Sequence, residues 1–151
     1  MVFLYREANN TLRKEVTNRK EVIAMSEIID GISHINTDEL DQILQDTDNQ
    51  TLIIDVREHE EYLEFHIPGI PLIPMGQIAE LTEQFDKNRE YVFVCRSGKR
   101  SYEVAKYFKL LGFEQVHNYA GGMLNWDRET ASGHDNIITE FDPKLLERKQ
   151  G

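Results

Sequence analysis

Two short runs of large apolar residues, 51–56 (TLIIDV) and 91–94 (YVFV), limit the fold more than any other feature of this chain. A strand with one wet face alternates apolar with polar residues. These runs do not alternate, so both of their faces must be covered, as in a parallel sheet between helical layers. Helix-like segments separate them. Thr37 is a plausible N-cap, with Asp38 and Glu39 in the first turn and Leu40, Ile43 and Leu44 on one face. A short acidic helix is expected near 58–63, another helix over 76–85, and a third over 101–111. The third carries Val104, Phe108 and Leu111 on one stripe, with Gly112 as its stop. Further short strands fit 32–35, 72–73 and 115–119, and Gly121-Gly122 turns into a helix around 123–126. Strands alternating with helices over short loops predict a single α/β domain across 32–128, with a mostly parallel central sheet flanked by helices.

The two ends read differently. Residues 1–24 have Leu4, Leu12 and Val16 too far apart for an amphipathic stripe, which suggests a loose or partly helical leader. That leader need not be native. Lys20-Glu21-Val22 can be encoded by a purine-rich stretch resembling a bacterial ribosome-binding sequence just before Met25, so translation starting at Met25 is an alternative expectation. The tail, 129–151, is polar until Asp142-Pro143, a cap and first-turn pair for a short helix over 143–149. It is expected to be an appendage.

Charge narrows the partners. Asp and Glu number 27 against 17 Lys and Arg, a net charge of −10, which repels nucleic acid unless a basic patch is set apart. No apolar run approaches the roughly 18 residues needed to cross a bilayer, and the opening lacks the apolar core of a secretory signal. The expectation is a cytoplasmic protein without nucleic-acid or membrane partners. The single cysteine, Cys95, excludes an internal disulfide and suits a reducing compartment.

Cys95 sits where chemistry is expected. In residues 91–108 (YVFVCRSGKRSYEVAKYF) a buried strand ends, a tight loop follows, and a helix begins near Ser101. Open α/β sheets place their ligands at the carboxyl ends of strands. Gly98 allows the loop to turn successive N–H groups inward, and the helix start adds partial positive charge. Arg96, Lys99 and Arg100 contribute formal charge. A lone cysteine after an apolar strand is ordinarily just a small core residue. Its neighbours argue otherwise, because three clustered cations need an anion among them to be buried. An ordinary free thiol is only about 3% ionised at neutral pH. The pattern predicts a nucleophilic thiolate in an anion cradle, facing an anionic substrate or a thiolate-derived anion such as a persulfide.

In order along the chain stand Asp55-Val56-Arg57-Glu58, Glu61-Tyr62, His66-Ile67-Pro68-Gly69, Pro74, Cys95-Arg96-Ser97-Gly98-Lys99-Arg100-Ser101, Leu111-Gly112-Phe113 and Gly121-Gly122-Met123 with Trp126. This ordered set, over about residues 34–127, resembles the rhodanese family of sulfurtransferases. The resemblance implies that Cys95 takes the outer sulfur of a small anionic donor such as thiosulfate as a persulfide. It then passes that sulfur to cyanide or to a thiol, small or protein-borne, in two half-reactions. It further implies that Arg96, Ser97, Gly98, Lys99, Arg100 and Ser101 bind the substrate, that Asp55 and Arg57 support the loop, and that His66 is structural. No metal and no organic cofactor is implied. Two positions depart from the family pattern: Phe65 stands where glycine is common, and Ile70-Pro71 where a small residue usually follows the turn. They are expected to reshape a pocket wall or a partner surface.

Two other readings compete. Phosphatase and arsenate-reductase loops place five residues between cysteine and arginine, whereas Cys95 and Arg100 are separated by four. The other is a sulfur-carrier or partner-docking module with little turnover of its own. Neither a nucleotide-binding glycine loop, a zinc-protease helix nor a serine-hydrolase elbow is present, and His34, His117 and His134 lack ligand spacing.

Overall fold

A computed structural model describes residues 27–148 of the chain. The leader, Met25 as an alternative start, and residues 149–151 lie outside the described residues. Five strands form one sheet in the order β1-β2-β5-β4-β3. They are β1 (Glu27–Ile29), β2 (Ile32–Ile35), β3 (Leu52–Asp55), β4 (Tyr91–Val94) and β5 (Val116–Tyr119). Every pairing among β2, β5, β4 and β3 is parallel. Only β1 runs antiparallel, against β2. The helices are α1 (Thr37–Gln45), α2 (His59–Glu64), α3 (Met75–Leu81) and α4 (Lys99–Leu110). This is the expected single α/β domain.

All residues of β3 and β4 are buried, and their alternation feeds two separate cores. Leu52, Ile54, Tyr91 and Phe93 join Val104, Ala105 and Phe108 of α4 on one face. Ile53, Val92 and Val94 join Leu40 and Ile43 of α1 on the other. Side chains two apart in a strand share a face. Cys95 keeps the parity of Tyr91 and Phe93 and so enters the α4-side core. There Phe108 packs at 4.7–5.4 Å between ring centroids against Phe85, Phe93 and Phe113.

Several elements differ locally from the sequence reading. Strand β1 had no counterpart, because three largely exposed residues give no burial pattern. Asn36, not Thr37, caps α1. Its side chain accepts from the Glu39 amide at 2.8 Å, while the Glu39 carboxylate accepts from the Asn36 amide at 3.3 Å. The Thr37 hydroxyl instead meets the Tyr119 hydroxyl at 2.6 Å. Helix α4, expected from Ser101, starts two residues early, at Lys99. The segment expected as a helix over 76–85 ends as α-helix at Leu81 and tightens into a 3-10 turn over Thr82–Gln84. Residues 123–126 form only a 3-10 turn, Met123–Asn125. Leu72 makes single parallel bridges to Asp55 and to Ile137 rather than a strand.

The tail is no appendage. Its Ile137 bridges Leu72, which in turn bridges Asp55 at the outer edge of β3, Ile138 and Leu146 are buried in the α4-side core, and Phe141 stacks on Phe85 at 5.0 Å. Asp142 caps a 3-10 turn, Pro143–Leu146, in place of the longer helix expected. Arg148 then reaches the Ile43 carbonyl at 2.9 Å and the Asn49 carbonyl. The tail looked detached because its apolar residues are spaced to fit an uncovered sheet edge, which no local period reveals. Leu146→Ala should destabilise the domain by about 2–5 kcal/mol, the usual cost of emptying a buried leucine site. Urea denaturation of the full chain measures it, and a change under about 0.5 kcal/mol would mean that the tail is an appendage after all.

Candidate active site

The loop after β4 owes its shape to a second segment, the turn after β5. The Met123 amide donates to the Cys95 carbonyl at 2.9 Å, and the Leu124 amide to the Arg96 carbonyl at 3.0 Å. In planar trans peptides the N–H lies opposite the C=O. With both carbonyls turned toward residues 123 and 124, the amides of Arg96 and Ser97 point to the other side. Two glycines make the approach possible. Gly98 (φ 91°) has no room for a Cβ against the Ala120 carbonyl, and Gly122 (φ 61°) has none against the Arg96 carbonyl. Each meets the other's segment. As the N-cap of α4, Gly98 offers no side chain to the first-turn amides, so this 12-residue helix begins with its orphan donors uncapped.

Cys95 is fully buried. Its Sγ accepts from the Gly98 amide at 3.1 Å and lies 3.2 Å from the Ser101 hydroxyl. Ser101, also fully buried, is 2.5 Å from Asn118 Oδ1. The Asn118 amide group donates to the Gly98 carbonyl at 3.1 Å and lies 3.3 Å from His34 Nδ1. A polar file thus runs from the sulfur through Ser101 and Asn118 to β2. Burial holds the His34 imidazole below its usual pKa, against the opposing charges of Glu27 and Asp30.

The three cations expected around the sulfur divide. Arg96, Ser97 and Lys99 are exposed, so the anticipated burial of all three charges does not occur. Arg100 is half-buried and spends its guanidinium on a two-pronged pair with Glu61, at 2.7 and 2.8 Å. Arg100 holds the Glu61 carboxyl well below the usual carboxylate range, down to about 2. Glu61 also closes α2, accepting from the Glu58 amide at 3.0 Å.

Asp55 and Arg57 form a buried pair at 2.9 Å. Burial pushes the Asp55 carboxyl upward, against the hydrogen bonds from Arg57. Arg57 also donates to the Glu61 carbonyl at 3.3 Å and the Phe65 carbonyl at 2.8 Å, tying the end of β3 to α2. Their route to the cysteine loop therefore runs through Glu61 and Arg100. His66 gives Nδ1–H to the Tyr62 carbonyl at 2.7 Å and stacks on the Tyr62 ring at 3.7 Å, a structural position. Phe65 lies over the Arg57 guanidinium at 5.5 Å, and Ile70 is buried in the α1-side core. Two open cavities, of about 500 and 480 Å³, lie near Trp126 and near His34 with Gly121, and neither is lined by Cys95. Among the described residues, no cluster of His, Cys, Asp or Glu could hold a metal ion.

Sequence reasoning missed Asn118, dismissed His34 for want of ligand spacing, and quoted Glu61 only as part of a pattern. A signal for Asn118 did exist: it is a polar residue inside a strand whose every position is buried.

Residues 36–129 match the family model described as Rhodanese-like domain. A Bacillus subtilis (strain 168) protein named "Putative sulfurtransferase YtwF" is 46% identical over 99 residues, which span 66% of this chain and 94% of that protein. A second protein of that organism, "Putative sulfur carrier protein YrkF", is 40% identical over 85 residues, 56% of this chain and 46% of its own length. Among solved structures, a rhodanese-like domain protein from Staphylococcus aureus is 36% identical, with a TM-score of 0.60, covering 67% of this chain and 98% of that one.

The Glu61–Arg100 pair carries a pH signature. A carboxyl whose pKa is depressed on folding stabilises the native state above its unfolded value near 4.5, and that contribution is lost as pH falls toward about 2. The wild type should therefore exceed Glu61→Gln in stability above pH 5, by no more than about 1 kcal/mol given the pair's exposure. Urea denaturation from pH 6 to pH 2.5 should show the two curves converging at the acid end. A constant gap would mean that Glu61 acts by packing alone.

Proposed function

Because the chain belongs to the rhodanese-like domain family, we propose that it is a sulfurtransferase that carries sulfane sulfur on Cys95, taking it from a small anionic donor of the thiosulfate type. The observation that supports this most directly is the placement of the cysteine sulfur at the start of an uncapped helix, with the Gly98 amide 3.1 Å away. Amides and a helix start favour a sulfur anion at that point.

In the first half-reaction the Cys95 thiolate attacks the outer sulfur of thiosulfate. The S–S bond of the donor breaks, sulfite leaves with the electron pair, and Cys95 becomes a persulfide whose negative charge sits on the outer sulfur. In the second, a thiolate or cyanide attacks that outer sulfur and Cys95 leaves as thiolate. Electrons and charge balance in both halves, so the scheme needs no external oxidant or reductant. The amides of residues 96–100 hold the transferred sulfur. Arg96 and Lys99, exposed on the loop, draw in a dianionic donor. The Arg100 charge is largely committed to Glu61, so its part is to hold the helix start in place as well as to attract the donor. Asp55 and Arg57 support the loop from behind through α2. The chain has no second cysteine, so discharge requires an external acceptor, a small thiol or a protein thiol, in the cytoplasm.

A second reading is favoured by the burial of Cys95 and by the similarity to the protein named as a sulfur carrier: the domain loads sulfur and releases it only to a docked partner. One experiment separates these. Purified full-length chain mixed with thiosulfate should gain one sulfur atom on Cys95 in intact-mass spectra, and should form thiocyanate once cyanide is added. Cys95→Ala should do neither. Loading without thiocyanate would make the carrier reading correct, and a wild type that never loads would defeat both.

A further inference from the structure

The Ser101 hydroxyl has one proton and two acceptors within reach. Asn118 Oδ1 is 2.5 Å away and Cys95 Sγ is 3.2 Å away. The orientation of the Asn118 amide follows from its other contact. The Gly98 carbonyl can only accept, so the Asn118 NH2 faces it and Oδ1 faces Ser101. Cys95, Ser101 and Asn118 are all buried, which leaves no bulk water to make up a lost hydrogen bond. With Cys95 as a neutral thiol the file is satisfied: S–H points to Ser101 Oγ and O–H to Asn118. With Cys95 ionised it is not. Either the Ser101 proton stays on Asn118 and its lone pairs face the anion, or it turns to the sulfur and strands Oδ1.

We propose that Asn118 is a positioning residue that acts through Ser101, withholding the serine proton from an ionised Cys95 and so favouring the states in which Sγ carries no charge. Those states are the neutral thiol and, on the sulfur-transfer reading above, the inner sulfur of the persulfide, whose charge has moved outward. Asn118 thereby biases the site toward loading wherever the unloaded site is thiolate. The charged groups around Sγ do not change in the alanine variants. They are Arg100 of α4, paired with Glu61 of α2, and the exposed Arg96 and Lys99 of the loop. Behind them lie the Asp55–Arg57 pair at the end of β3, and His34 of β2, beyond Asn118.

The test is the pH profile of Cys95 alkylation by iodoacetamide, for the wild type, Asn118→Ala, Asn118→Asp, Ser101→Ala and the Ser101→Ala/Asn118→Ala and Ser101→Ala/Asn118→Asp double variants. Asn118→Ala frees the serine proton for the sulfur, so its profile should move to lower pH, with about tenfold faster alkylation at pH 7, the worth of one hydrogen bond to an anion. Asn118→Asp grips the proton harder and also brings a negative charge near the sulfur, so its shift to higher pH should be larger with Ser101 present than in Ser101→Ala/Asn118→Asp. In the Ser101→Ala background, Asn118→Ala should have no effect. A shift of equal size in both backgrounds, or no shift in either, overturns the proposal. Should Asn118→Ala fail to fold, an Asn118→Asp shift that is just as large in the Ser101→Ala background overturns it equally. Alkylation needs no sulfur donor, so it stands or falls separately from the sulfurtransferase reading. For the loading bias, the persulfide fraction of Asn118→Ala at a fixed thiosulfate-to-sulfite ratio should fall several-fold at alkaline pH, where the unloaded site is thiolate, and equality with the wild type there refutes that part.

Discussion

The contact between the turn after β5 and the loop after β4 governs the rest of the site. Two amides, those of Met123 and Leu124, take up the carbonyls of Cys95 and Arg96. That choice of partner turns the following amides the other way and makes the loop a collection of donors rather than a mixed surface. The close approach depends on two positions without Cβ atoms, Gly98 and Gly122, each set against the backbone of the other segment. Both have positive φ, where glycine alone is unstrained. The strap is therefore a consequence of sheet order. Only because β4 and β5 are parallel neighbours do their carboxyl-terminal loops lie side by side.

Electrostatics around the sulfur are layered rather than simply positive. Nearest the sulfur are neutral donors and acceptors: the Gly98 amide, Ser101 and Asn118. Further out, Arg100 is offset by Glu61, and Arg57 by Asp55. The uncompensated cations of the loop, Arg96 and Lys99, face solvent. This arrangement suits a long-range pull on anions from water combined with close control by hydrogen bonds, since exposed charges act over about a Debye length while buried dipoles act at contact. It also avoids the penalty of burying three like charges together.

Much of this was legible beforehand because it depends on local rules. Burial on both faces shows in runs such as YVFV, a turn shows in Gly98, and the candidate site shows in a cysteine followed by glycine and clustered cations. Other features were not legible. Asn118 is 17 residues from its partner Ser101, and Glu61 is 39 from Arg100. Ile138 and Leu146 gave no period, yet they complete a core built by distant strands. Even the N-cap of α1 moved by one residue, because Thr37 had a better partner in Tyr119, 82 residues away.

By itself, then, the sequence determined the class of the fold, the position of the lone cysteine at a strand end and the residues able to form its loop, because apolar periodicity and backbone freedom act over a few residues. Which cation stays free, which polar side chain competes for the serine proton and where the tail closes the sheet were decided by the tertiary structure alone. Those outcomes depend on which partners are a few ångströms apart after folding, and distance in space is set by sheet order, not by separation along the chain.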